Sequence, residues 1–168
     1  FRSIPGPGEK YHDTWAGDSW KNRSGVNVWG LMTVDAQRSI VYLPFGAPSV
    51  DQYGGDRPGD NLFSTSLVAA DANTGKYLWH FQVVHHDLWD YDVPAQPVLT
   101  EILHEGRLVP VVVQASKMGF LFVLHRETGV PVCPVEERPV PARDAPGEVV
   151  SPTQPFPTVY PNLVPTTL

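Results

Sequence analysis

Leu67-Val68-Ala69-Ala70-Asp71-Ala72-Asn73-Thr74-Gly75-Lys76-Tyr77-Leu78-Trp79 reads as strand, tight turn, strand. The apolar run before Asp71 and the aromatic residues after Lys76 suit pleated, half-buried chain. Asp71 can accept hydrogen bonds from the turn amides, and Gly75 can take the positive φ that such a turn needs. Phe120-Leu121-Phe122-Val123-Leu124-His125-Arg126-Glu127-Thr128-Gly129-Val130-Pro131-Val132 repeats this grammar, with Thr-Gly again at the tip. Gly75 and Gly129 stand 54 residues apart, about the length of one four-stranded blade in a radial repeat. A weaker hairpin, Val34-Asp35-Ala36-Gln37-Arg38-Ser39-Ile40-Val41-Tyr42, supplies the first two strands of the blade that ends at Trp79. A blade cannot bury both faces by itself, so the expectation is an all-β fold that is part of a β-propeller, about two to three blades of four-stranded antiparallel sheet. A self-standing β-sandwich with two similar hairpins is the alternative that the repeats leave open.

Strand candidates lie at 31–35, 39–43, 66–71, 77–84, 109–115 and 119–125, most of them β-branched or aromatic and bounded by turn formers. With 14 Gly and 18 Pro among 168 residues, the composition favours short strands and tight turns over helices. Residues 28–133 hold the recognisable blades, and 134–168 form a Pro-rich stretch, expected to run extended over the surface or the propeller mouth. A disordered tail is the other reading of that stretch. The net charge is −6 and the basic residues are scattered, which argues against a nucleic-acid partner. Cys133 is the single cysteine and can make no internal disulfide. No stretch approaches the roughly 20 apolar residues of a membrane span, and Phe1-Arg2-Ser3-Ile4-Pro5-Gly6 has no apolar signal-type core, so the segment is expected to be soluble as it stands. Both ends open or close in Pro/Gly-rich sequence, the last of it Tyr160-Pro161-Asn162-Leu163-Val164-Pro165, and are expected to be cuts within a longer chain.

The densest chemistry is His85-His86-Asp87-Leu88-Trp89-Asp90-Tyr91-Asp92, directly after the strand candidate 77–84. So many titratable groups at a strand end mark a functional loop. In extended backbone Asp90 and Asp92 would share a face and repel unless a cation lay between them, and a hard divalent or trivalent ion suits that place. Two blander assignments stand beside this one. Asp87 and Asp90 could cap a turn while His85 and His86 pack, or the cluster could bind zinc, although no third ligand is visible.

Extended to Val93-Pro94-Ala95-Gln96-Pro97, the segment closely resembles the active-site stretch of pyrroloquinoline quinone (PQQ)-dependent dehydrogenases, the membrane glucose dehydrogenase type in particular. The run 71–79 resembles the family's tryptophan docking motif, of which the second copy has Cys133 at the tryptophan place. Arg57-Pro58-Gly59-Asp60-Asn61-Leu62, Gly17-Asp18-Ser19-Trp20-Lys21 and Pro152-Thr153-Gln154-Pro155-Phe156 also look like the family, so the resemblance covers essentially the whole chain.

The resemblance implies an eight-bladed propeller and PQQ-dependent oxidation of a sugar, polyol or alcohol hydroxyl. Asp90 matches the catalytic base, Lys117 the lysine that hydrogen-bonds the quinone, and Trp29 the indole that stacks on the PQQ ring, where blade-core packing is the plain alternative. For the metal it implies Ser49, Asp90 and Asp92, with Ala47 at a place where relatives carry asparagine and further acidic ligands upstream of residue 1. The ion is expected to be Ca2+, with Mg2+ or a lanthanide as alternatives. It further implies a membrane quinone or cytochrome c as electron acceptor and a periplasmic location, with attachment to the inner membrane through parts outside this segment. His85, His86 and Asp87 are expected to support the site. A non-catalytic propeller scaffold is the rival, but a scaffold has no need of Asp90 and Lys117 together.

Overall fold

The computed structural model describes residues 1–141 and 145–164. The first sheet is a four-stranded antiparallel meander of β1 (Thr33–Asp35), β2 (Ile40–Pro44), β3 (Ser66–Asp71) and β4 (Tyr77–Gln82), hydrogen-bonded in sequence order. β3 is central and buried almost throughout, which is why its run carries no polar alternation. The β3–β4 turn forms as its residues dictate. Asp71 Oδ1 accepts from Asn73 N at 3.0 Å and from Thr74 N and Thr74 Oγ1 at 2.8 Å each, and Gly75 has φ +69°.

The second sheet contains β5 (Val98–His104), β6 (Arg107–Ala115) and β7 (Leu121–His125), again antiparallel. The place of a fourth strand holds only a bridge between Leu124 and Pro131, flanked by His125 N to Val130 O and Val132 N to Val123 O, both 2.8 Å. Leu124 and Pro131 form a non-hydrogen-bonded pair, so the missing proline N–H costs no bond to β7 there, and the pairing ends with Val132. Trp79 joins the two sheets. Its ring covers Gly129, where a Cβ would collide with it, and Nε1 donates to Arg126 O at 3.2 Å. Gly129 is needed twice over, because its φ is also +71°. Tyr42 donates to the same carbonyl at 2.9 Å, and Ile40, Leu67, Val112, Phe122 and Leu124 complete the buried core around the tryptophan.

An ion cluster closes the outer side of that joint. Buried Asp35 lies 2.9 Å from Arg126 Nη1 and 3.2 Å from Arg38 Nη1, and Arg38 Nε reaches Glu127 at 2.7 Å. Burial alone would raise the Asp35 pKa, but hydrogen bonds from Arg126 and Arg38 outweigh it and hold the carboxyl below its ordinary value.

Several strand bounds differ from expectation. β1 begins at Thr33 rather than Leu31, and β4 stops at Gln82, since the chain bends at Val83 to enter the acidic loop. Within the Pro-rich stretch a two-stranded sheet forms, β8 (Val135–Pro139) against β9 (Thr153–Pro157), pairing Val135 with Pro157 and Pro139 with Thr153. Its prolines are tolerated because a two-stranded ribbon is all edge. Of the same stretch, 142–144 and 165–168 lie outside the described residues. Among the described residues no helix is long and apolar enough to cross a membrane.

Candidate active site

The loop after β4 is built around one carboxylate. Asp87 is fully buried, and its Oδ1 accepts from Trp89 N at 2.9 Å while Oδ2 accepts from Tyr91 N at 2.9 Å and Thr65 Oγ1 at 2.8 Å. Burial pushes the Asp87 pKa above its ordinary value, with the three hydrogen bonds and Arg57 opposing. Arg57, also fully buried, donates through Nη1 to Asn61 Oδ1 at 2.7 Å and through Nη2 to the Asp87 carbonyl. His86 is buried with Nδ1 facing Gly59 O at 2.7 Å and Asn61 Oδ1 at 3.0 Å, and burial, aided by Arg57, lowers its pKa toward the neutral imidazole. His85 faces the β8–β9 ribbon. Its backbone N–H donates to Gln154 Oε1 at 2.8 Å, Gln154 Nε2 donates back to His85 O at 2.7 Å, and the His85 ring Nε2 lies 3.1 Å from Glu137 Oε1. These three residues therefore serve the frame.

Asp90 and Asp92 face the other way. Asp90 is not in extended backbone but at φ +57°, a left-handed conformation uncommon for a side-chain-bearing residue. The cation between the two aspartates is Lys117: Nζ donates to Asp90 O at 2.7 Å, to Asp90 Oδ2 at 3.1 Å and to Asp92 Oδ2 at 3.2 Å. Burial alone would lower the Lys117 pKa, but the bonds to the two carboxylates outweigh it and raise it. Lys117 is placed by the β6–β7 turn, closed by Gly119 N to Ser116 O at 3.0 Å. Asp92 is fixed from behind by Ala47 N, which donates to its Oδ1 at 2.6 Å. Gly46 leaves the space for this, because a Cβ there would stand 2.7 Å from Asp92 Oδ1 and 3.1 Å from Trp29 Nε1.

Trp29, Ser49, Asp51, Asp90 and Asp92 line one open pocket of about 260 Å3. Trp29 is 56% exposed and lines this pocket. The structure thus brings together Trp29, Ser49, Asp90, Asp92 and, through its hydrogen bonds, Lys117. The metal donors are a different matter. Ser49 Oγ is paired with Ser24 Oγ at 2.8 Å, both Asp92 oxygens are engaged, and among the described residues no group of three or more His, Cys, Asp or Glu could hold a metal ion. Ser49, Asp90 and Asp92 do not make a cage on their own.

Sequence reasoning gave no role to Arg57, Asn61 and Thr65. The local signal was a charged residue in a Gly/Pro-rich run, and its meaning depends on contacts made up to 30 residues away.

Consecutive antiparallel sheets joined by a tryptophan, with an indole, a lysine and two aspartates gathered beside one open pocket, have the architecture of β-propeller blades with a site at their edge. Residues 1–167 match the family described as "PQQ: Glucose/ethanol/alcohol dehydrogenase, beta-propeller domain", and the chain belongs to that family. It is 47% identical over 131 residues to the quinoprotein glucose dehydrogenase of Escherichia coli (strain K12), covering 77% of this chain and 16% of that protein. Among solved structures it is similar to a quinohemoprotein alcohol dehydrogenase from Pseudomonas putida, with a TM-score of 0.71 and 31% identity over 79% of this chain and 22% of the other. It is also similar to a europium-containing methanol dehydrogenase, with a TM-score of 0.67 and 31% identity over 77% of this chain and 22% of that one. The chain thus spans about a sixth of the length of the glucose dehydrogenase it matches.

Proposed function

We propose that the protein to which this chain belongs oxidises a sugar, polyol or alcohol hydroxyl with PQQ, and that Asp90 is the general base. The observation that carries this is the Asp90 carboxylate in an open pocket beside the exposed Trp29 face, held by Lys117. A flat, anionic quinone fits that arrangement, since the indole offers stacking area and the ammonium a charged donor. Held there by Trp29 and Lys117, PQQ would supply the hydride-accepting chemistry.

Asp90 accepts the hydroxyl proton as the C–H bond breaks, so proton and hydride leave the same carbinol and a carbonyl product remains. Lys117 orients Asp90 through both its carbonyl and its carboxylate and is positioned to donate to a quinone oxygen. Trp29 fixes the plane against which the substrate must approach. The donors of this segment do not fit a metal ion without ligands from elsewhere in the longer protein. No step is therefore assigned to Ca2+, Mg2+ or a lanthanide. The europium-containing relative supports testing all three.

Residues 28–133 are the blade portion of this proposal and 134–168 the connection. Electron exit to a membrane quinone or cytochrome c, in the periplasm, is part of the same reading, and the quinohemoprotein name of the Pseudomonas putida relative supports a haem acceptor. Fractionation of the host cell with tagged full-length protein checks the location.

The test of function is dye reduction by the full-length protein loaded with PQQ and calcium, with glucose, glycerol and simple alcohols as donors. Asp90→Asn is expected to lower kcat by about 10²- to 10⁴-fold. Unchanged turnover in that variant would remove Asp90 from the role of base.

A further inference from the structure

We infer that Asp87 is a positioning residue for Asp90: one buried carboxylate holds the backbone on both sides of the base and so sets the direction of its side chain. This rests on the proposed role of Asp90 and deepens it. Trp89 N and Tyr91 N, the amides that flank Asp90, both donate to Asp87, at 2.9 Å each. Between them Asp90 adopts φ +57°, a conformation that costs of order 1 kcal/mol or more for a residue other than glycine and persists only where its surroundings enforce it. Asp87 itself has little freedom. Thr65 Oγ1 donates to its Oδ2 at 2.8 Å, and the buried Arg57 guanidinium grips its carbonyl. The chain of contact therefore runs from the β2–β3 connection, through Thr65 and Arg57, into Asp87 and on to Asp90. Thr65, Arg57 and Asp87 are not among the residues that line the pocket, so they act on the reaction only through the base.

An asparagine at 87 has one oxygen that accepts and an amide nitrogen that does not, so one flanking amide loses its acceptor whichever way the side chain is turned. Thr65→Val is the milder probe, since it removes a single donor and keeps the volume, while Thr65→Ser keeps the hydroxyl. Two measurements on the full-length protein separate positioning from simple stability. In the cofactor-free protein, amide exchange of the peptide containing residues 88–92 is followed by mass spectrometry. In the PQQ-loaded protein, kcat is normalised to bound PQQ and KM is measured for the sugar or alcohol.

The expected result for Thr65→Val and Asp87→Asn is faster exchange in that peptide, with kcat per bound PQQ falling by about 10- to 100-fold at little-changed KM. Thr65→Ser should restore both readouts. Should Asp87→Asn fail to fold, the Thr65 pair decides. Exchange that stays at the wild-type rate overturns the inference, as does faster exchange with unaltered kcat per bound PQQ. Failure of the base assignment is seen separately: Asp90→Asn would then keep its turnover while exchange still answered to residue 87.

Discussion

The hairpins at Asp71–Gly75 and His125–Gly129 share a turn grammar but differ in the chain beyond the turn. After the first, Tyr77-Leu78-Trp79 continues as a full strand, and Trp79 seals the next sheet against Gly129. After the second, pairing is confined to one bridge at Pro131, and the tryptophan place is taken by Cys133, buried with Sγ 3.8 Å from Tyr160 Oη. The first turn is also better made. Asp71 Oδ1 holds three donors, whereas His125 Nδ1 holds one, Glu127 N at 3.3 Å. A repeat can thus keep its turn and lose its seal, and the joint between sheets depends on one large ring meeting one glycine.

Removing that ring breaks the contrast most directly. Trp79→Ala in the full-length protein is expected to cost about 4 kcal/mol, read as a lowered urea midpoint, because a cavity opens against Gly129 and the Arg126 carbonyl loses a donor. A cost under about 1 kcal/mol would mean that the ion cluster, not the tryptophan, carries the joint.

Asp35→Asn comes next, at about 3 kcal/mol, since it leaves the Arg126 guanidinium at the sheet interface without its charge partner. The pH dependence has a definite sign. The folded Asp35 pKa lies below its ordinary value of 3.8, so its contribution is complete above that pH and is lost as pH falls through the depressed folded value. Urea midpoints measured downward from pH 6 should fall less steeply for Asp35→Asn than for wild type, and parallel curves would show that Asp35 is not the group responsible. Cys133→Val, at the second tryptophan place, is expected to change stability by less than about 1.5 kcal/mol. A loss as large as that of Trp79→Ala would erase the contrast between the two copies.

How far the sequence reached depended on the range of the contacts involved. β3 was legible to the residue because an apolar run bounded by Asp71 is a local signal. β5 was missed. It is an outer strand whose exposed residues, among them Glu101 and Leu103, give no clean alternation, and its partner is fixed by a Glu105–Gly106 turn in which both residues have positive φ, +49° and +76°. β8 and β9 were hidden by their prolines. At the candidate site, Asp90 and Asp92 were singled out by the density of acidic groups and Trp29 and Lys117 by resemblance, and the residues that join them to the frame were not singled out. The expectation of an extended segment gave way to a turned loop in which Lys117 bonds both Asp90 and Asp92. Nothing within eight residues of Asp90 announces a lysine 27 positions on.

The clasp between His85 and Gln154 bears on when the site can form. A side-chain amide there offers one acceptor and one donor to a single residue's backbone, as a neighbouring strand would. No asparagine, glutamate or lysine reproduces both the reach and the pair of polarities. Since the two residues are 69 apart, the root of the acidic loop stays unclasped on the ribosome until the β8–β9 ribbon has emerged. The 29 residues from His125, the end of β7, to Gln154 take about 1.5 to 6 seconds at roughly 5–20 residues per second, an interval in which both sheets can already be folded while the loop that carries Asp90 still awaits its anchor.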